Sequence, residues 1–158
     1  FDNNVIELQI INTINQYISV NGGLLVQHLD TTTKEVVADM CVTEAKPTDE
    51  QLTDMNFGWR IVKHVKSNAI AVVKNGATLG VGAGQMNRVG SAEIALKQAK
   101  AAGFTSGLVL ASDGFFPFDD TVTLAEQYGV TALVQPGAFP AIGYLGTIAD
   151  SSPLGDFL

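Results

Sequence analysis

Two stretches carry residue types that could do chemistry. The first, Gly80 to Glu93, reads GVGAGQMNRVGSAE. Glycine-rich loops between a strand and a helix cradle phosphates with backbone N–H groups. A dinucleotide fingerprint needs G-x-G-x-x-G, but Gly82-Ala83-Gly84-Gln85-Met86-Asn87 puts asparagine where the third glycine belongs. A Walker loop needs Gly-Lys-Ser/Thr, and that triplet does not occur. Asp113, at the end of the next apolar run, keeps a nucleotide reading open. A tight structural turn beside a helix start accounts for the same glycines. The second stretch, ASDGFFPFDD from Ala111 to Asp120, follows a buried-type strand, where open α/β sheets form their ligand crevice. Phe115, Phe116 and Phe118 offer stacking faces for a flat heterocycle. Asp113, Asp119 and Asp120 offer carboxylates that accept paired hydrogen bonds from an amino-pyrimidinone edge. At least one phenylalanine is also expected to pin this loop to the core, and at least one aspartate to cap the next helix.

The elements that must position these loops are legible from local pattern. Residues 5–45 look strand-like: NVIELQII is β-branched, GGLLVQ is a short apolar run and KEVVADMCVTE mixes valine pairs with polar positions. Asn21-Gly22-Gly23 signals a turn. After Pro47, Thr48 and Gln51 have capping-box spacing. Leu52, Met55, Trp59 and Val62 follow at helical spacing, with Lys63, His64 and Lys66 expected in the last turn. Asn75-Gly76 predicts a hairpin joining Ala69–Lys74 to Ala77–Val81. A helix is expected from about Ser91 to Ala102, closed by Gly103. GLVLAS reads as a buried strand, Asp120–Tyr128 as a short helix stopped by Gly129, and TALVQ as another strand. The order helix, hairpin, helix, strand, helix, strand predicts a three-layer α/β/α sheet whose later strands run parallel.

That layout is also the layout of the zinc deaminases. They carry H-x-E where the helix after the hairpin starts, and P-C-x-x-C after the next strand. Here Gly82-Ala83-Gly84 and SDGFFPF stand in those places, so a deaminase-like scaffold would be expected to hold no zinc.

GGLLVQ, WRIVKHVKSNAIAVVKNGATLGVGAGQMNRV, LASDGFFPF and QPG closely resemble the transformylase domain of the bifunctional AICAR transformylase/IMP cyclohydrolase family. The match runs from about Ser19 to Gly137. The resemblance implies a fold of cytidine-deaminase-like α/β units and a homodimer with its active site between subunits. It implies formyl transfer from 10-formyltetrahydrofolate, the cosubstrate, to the 5-amino group of AICAR in purine biosynthesis. Asn68 resembles an asparagine beside the reacting groups. Arg88 and Phe115 resemble residues at the AICAR site. Val89 resembles a small apolar residue of the folate pocket, and Phe118 and Asp120 resemble the pterin side. Asn68 is also readable as a cap or turn residue, and Arg88 as a solvated first-turn residue poorly suited to the helix dipole.

The family's catalytic Lys-His pair precedes a proline and glycine, which Lys63-His64 does not, and the matching segment lies upstream of this chain. The chain is therefore expected to be a C-terminal piece of the transformylase domain, residues 1–137, inactive by itself. Residues 138–158 form a divergent tail. Ala138 and Phe139 replace the family's Gly-Ser and its closing arginine is gone, so a reading-frame change or an expression artefact is inferred, with loose order. His28 is expected on a strand surface. The different class of reading is a non-catalytic α/β module that binds a nucleotide or mediates dimerisation.

Bulk properties agree with small-molecule work. The chain has 158 residues, 46% hydrophobic, enough for a core. A net charge of -7 argues against nucleic acid as a partner. No apolar run approaches a membrane span. One cysteine, Cys41, excludes an internal disulfide, and with no export signal a reducing cytoplasm is the expected location.

Overall fold

The computed structural model describes residues 15–29, 35–136 and the backbone of 143–147. NVIELQII, His28's neighbours beyond Leu29 up to Lys34, and most of the tail lie outside the described residues. The chain divides into two compact units, Phe1–Lys34 and Glu35–Leu158.

In the first unit, β1 (Asn15–Val20) pairs antiparallel with β2 (Gly23–His28) through the expected Asn21-Gly22 turn. Tyr17, Val26 and Leu24 lie on one face, while Ile18, Val20 and Leu25 lie on the other. All six are exposed. His28 is an exposed strand residue, as expected.

The second unit is a five-stranded sheet in the order β4-β3-β5-β6-β7. Its strands are β3 (Ile70–Lys74), β4 (Ala77–Gly82), β5 (Leu108–Ser112), β6 (Val130–Pro136) and β7 (Gly143–Thr147). β5 and β6 run parallel, while β3 is antiparallel to both β4 and β5. β7 runs antiparallel to β6, so part of the tail expected to be loose is an edge strand.

Among the described residues three helices cover the sheet. α1 (Asp49–Val62) starts with the expected capping box: Thr48 Oγ1 accepts from Gln51 N–H, and Gln51 Oε1 accepts from Thr48 N–H. α1 packs Met55 and Val62 against Ala71, Val109, Ala111, Ala132 and Val134 on one face. α2 (Arg88–Ala101) and α3 (Asp120–Gln127) cover the other face. There Ala92, Ala95, Leu96, Ala99, Val122 and Ala125 meet Ile70, Val72, Leu108, Leu110 and Leu133. Alternate strand residues thus feed opposite layers, the period-2 pattern of a sheet buried on both faces. No helix among the described residues is long and apolar enough to cross a membrane.

Three local expectations differ from what is seen. Lys63 caps α1 and His64 and Lys66 lie beyond it, leaving Arg60 as the basic residue of the last turn. Glu35–Ala45 holds no strand of the sheet; its only helical element is a 3-10 turn at Ala38–Met40. At Val36, Asn56 supplies the hydrogen bonds a neighbouring strand would. Asn56 Oδ1 accepts from Val36 N–H at 2.8 Å and Nδ2 donates to Val36 O at 2.9 Å. α2 begins at Arg88 rather than Ser91, because Asn87 caps it through a 2.8 Å bond from Gly90 N–H.

Two sets of contacts fix the β3–β4 hairpin against the helices. Asn75 and Gly76 both take positive φ, as a two-residue hairpin turn requires. The buried Asp54 of α1 accepts from both their N–H groups, at 2.8 and 2.7 Å. Gly80 and Gly82 of β4 lie directly under α2. A Cβ at either would come 2.0 Å from Ala95 O or 1.9 Å from Ser91 O. These glycines of the opening stretch therefore seat a helix on a strand.

Candidate functional site

β3 begins, and β4 and β5 end, at the same edge of the sheet, because Ile70 pairs with both Gly82 and Ser112. The segment before β3, the loop from β4 to α2 and the loop after β5 therefore converge. The 66–68 segment is laced to the β4–α2 loop by Gly84 N–H to Lys66 O at 2.8 Å and Asn68 Nδ2 to Gln85 O at 2.9 Å. Ser91 Oγ of α2 donates to Asn68 O at 2.6 Å. The Ser67–Asn68 peptide is cis.

Arg88 sits at the first position of α2, where a cation opposes the helix dipole. Its partners explain it. Nη1 donates to Ser112 Oγ at 3.1 Å and to Asp113 Oδ1, and Nη2 donates to Asn68 Oδ1 at 2.9 Å. Arginine has five N–H donors. Nε and the second hydrogen of Nη2 make no bond among the described residues, so the guanidinium retains capacity for a ligand oxygen.

Asp113 is the acid that Arg88 meets. Its carboxyl also accepts from Ala69 N–H at 3.0 Å. Burial is the largest influence on it and disfavours ionisation. Hydrogen bonds from the Ser67 side chain, Ala69 N–H and Arg88, with the Arg88 charge, together outweigh burial and hold it below its ordinary value. The carboxylate is thus the resting form, matched to the cation beside it.

The loop after β5 divides its labour. Phe116 packs on the core and its N–H donates to Gln135 Oε1 of β6 at 2.6 Å. Phe115 and Phe118 are exposed, at 45% and 69%. Asp119 occupies the N-cap of α3 without a side-chain capping bond. Asp120, exposed, accepts through Oδ1 from Thr121 N–H at 2.7 Å and Thr121 Oγ1 at 3.2 Å. Its Oδ2 makes no bond among the described residues. Val89, half-buried, follows Arg88 in the first turn of α2.

The structure thus joins Asn68 and Arg88 directly, and Val89 follows Arg88 in the chain. Phe115 and Phe118 lie on the adjoining loop and Asp120 at the start of α3, with no direct bond to that pair among the described residues. Ser112, Ser91, Gln85 and Gln135 were not singled out from sequence. Gln135 stands in the QPG motif, which was noticed without a role. Among the described residues no three His, Cys, Asp or Glu side chains group as a metal site.

The "AICARFT/IMPCHase bienzyme" family model matches residues 3–98. The chain is 59% identical over 120 residues to the bifunctional purine biosynthesis protein PurH of Anoxybacillus flavithermus, covering 76% of this chain and 23% of that protein. Its identity to PurH of Synechococcus elongatus is 56% over 119 residues, covering 75% and 23%. To PurH of Enterococcus faecalis it is 52% over 122 residues, covering 77% and 24%. The chain spans just under a quarter of the length of these curated relatives. The matched residues contain both the hairpin and the Asn68–Arg88 junction, and on that ground the chain belongs to the AICARFT/IMPCHase bienzyme family.

Proposed function

We propose that this segment supplies part of the AICAR and folate sites of a transformylase in purine biosynthesis. The reaction moves a formyl group from 10-formyltetrahydrofolate to the 5-amino group of AICAR. The amine attacks the formyl carbon, a tetrahedral intermediate forms, the bond to folate N10 breaks, and one proton passes from the amine to N10. The amine is a poor nucleophile because it is conjugated with the carboxamide, so positioning and charge stabilisation carry much of the rate.

The observation that carries the reading is the 2.9 Å bond between Arg88 and Asn68. Two residues singled out by resemblance, twenty positions apart, meet at the sheet edge where ligand crevices form. Arg88 would present its two remaining N–H groups to an oxygen of AICAR. Asn68 would hold the reacting groups beside it. Phe115 would line the AICAR side, while Val89 and Phe118 would line the pterin pocket. Asp120 would meet the pterin's donor edge, using Oδ2 while Oδ1 stays on Thr121. The proton-transfer groups are read as the Lys-His pair of the longer enzyme, so this segment binds and orients. The fold is read as a deaminase-like unit that uses no zinc, within a cytoplasmic homodimer.

Formyl transfer by the 158-residue chain tests the division of labour: none is expected, and measurable turnover would refute it. Calorimetry with a reduced folate on the full-length bienzyme carrying this segment separates a folate site from a non-catalytic nucleotide module. Binding weakened by Asp120→Ala is expected; unchanged binding favours the module.

A further inference from the structure

The resemblance gives Asp113 no role, yet the junction is built on it. Its Oδ1 accepts from Arg88 Nη1 and from Ala69 N–H, and its own N–H donates to Ala69 O at 3.2 Å. Ala69 directly follows Asn68. One carboxylate therefore holds the guanidinium and also the backbone that carries the carboxamide. The two side chains are only 17% and 18% exposed, so solvent screens the pair little. Gly114 closes the seat from below. A Cβ there would lie 2.4 Å from Arg88 Nη2, so the guanidinium rests against bare backbone. Ser112 Oγ completes the frame, accepting from Arg88 and donating to Gly114 O at 2.7 Å.

We propose that Asp113 is a positioning residue for formyl transfer, fixing Arg88 and, through Ala69, Asn68 in the orientation that meets AICAR. This inference rests on the transformylase reading. Asp113 acts through its two neighbours and takes no part in bond making or proton transfer. Losing it would leave the guanidinium tethered by Ser112 and Asn68 alone, free to swing by the ångström that costs an oriented reaction about 100-fold.

The test is a mutant cycle in the full-length bienzyme: Asp113→Ala, Arg88→Ala and the double variant, with formyl transfer and IMP cyclohydrolase activity measured in each. Asp113→Ala is expected to lower kcat/KM for AICAR about 100-fold. Adding it to Arg88→Ala should cost less than about threefold more, because the two act as one unit. Cyclohydrolase activity should stay within about twofold, as expected if the fold persists. A double variant showing the product of both single losses would overturn the proposal, since a merely structural role adds independently. Should Asp113→Ala fail to fold, Asp113→Asn decides. It keeps an acceptor for Ala69 N–H and removes only the charge on Arg88, so about a tenfold loss is expected, and wild-type kinetics would overturn the idea. Full formyl transfer by Arg88→Ala would instead sink the site reading itself. An impaired Arg88→Ala with an unimpaired Asp113→Ala would sink only the positioning role.

Discussion

Arg88, on the first turn of one helix, and Asp113, just past the end of a strand 25 residues later, form an ion pair flanked by Ser112, which bonds Arg88, and by Ala69, which bonds Asp113. Because folding lowers the Asp113 pKa, the folded state favours its ionised form. That contribution is complete above the unfolded carboxylate value of about 3.9 and is lost as pH falls through the lower folded value. Stability should therefore decline on the acid side, below about pH 4, and Asp113→Asn should flatten that decline. Urea unfolding between about pH 2.5 and 6 measures it. An acid limb identical in both proteins would contradict the assignment.

Gly82→Ala should destabilise the chain by at least the ~1–3 kcal/mol typical of overpacking, because the new methyl meets the fixed Ser91 carbonyl rather than a movable side chain. Gly80→Ala should behave alike against Ala95 O. Gly23→Ala is the control, since its Cβ would meet nothing within 4 Å. Thermal unfolding of the three variants makes the comparison. Equal melting points for all three would refute the close packing of α2 on β4.

Much of the framework was visible in short-range chemistry. Thr48 with Gln51, Asn75 with Gly76, and the helical spacing of Met55 and Val62 each need only nearby residues to be read. The start of α2 was misplaced because Arg88 and Gly90 both look unfavourable in a first helical turn. Asn87 capping and Asp113 opposite Arg88 reverse that judgement, and the second cannot be seen without the strand order. Glu35–Ala45 failed for a related reason: the backbone bonds of Val36 go to Asn56, twenty residues on, and valine content carries no trace of that. Asn68 and Arg88 were found through a resemblance, whereas the Phe115 loop stood out by its aromatic and acidic residues after a buried-type strand. That Asp113 meets Ala69 and Arg88 required β3 and β5 to be neighbours.

Asp54→Ala should cost about 2 kcal/mol, within the range for hydrogen bonds to a charged group, because two turn N–H groups lose their acceptor. Asp54→Asn should cost less, keeping one carbonyl oxygen. The loss is read as a lower urea midpoint with unchanged slope. A midpoint unmoved by Asp54→Ala would show that water replaces the carboxylate without penalty.

Asp120→Ala should weaken reduced-folate binding to the full-length bienzyme by about tenfold or more, the scale of one charge-assisted hydrogen bond. Phe118→Ala should also weaken it, through lost stacking area. Neither change should lower the melting point by more than a few degrees, since both side chains are exposed. Calorimetry and thermal unfolding on the same preparations distinguish a ligand contact from a folding defect.

The Asn75-Gly76 turn has a consequence on a slower clock. In an exposed Asn-Gly pair the glycine nitrogen can close on the asparagine carboxamide, expel ammonia and leave a succinimide that reopens to aspartate or isoaspartate. Here that nitrogen's hydrogen is held 2.7 Å, donor to acceptor, from Asp54 Oδ1. The carboxylate that braces the hairpin thereby holds the atom that would attack, so the pace of chemical ageing at this turn is expected to depend on a side chain of the helix packed against the sheet.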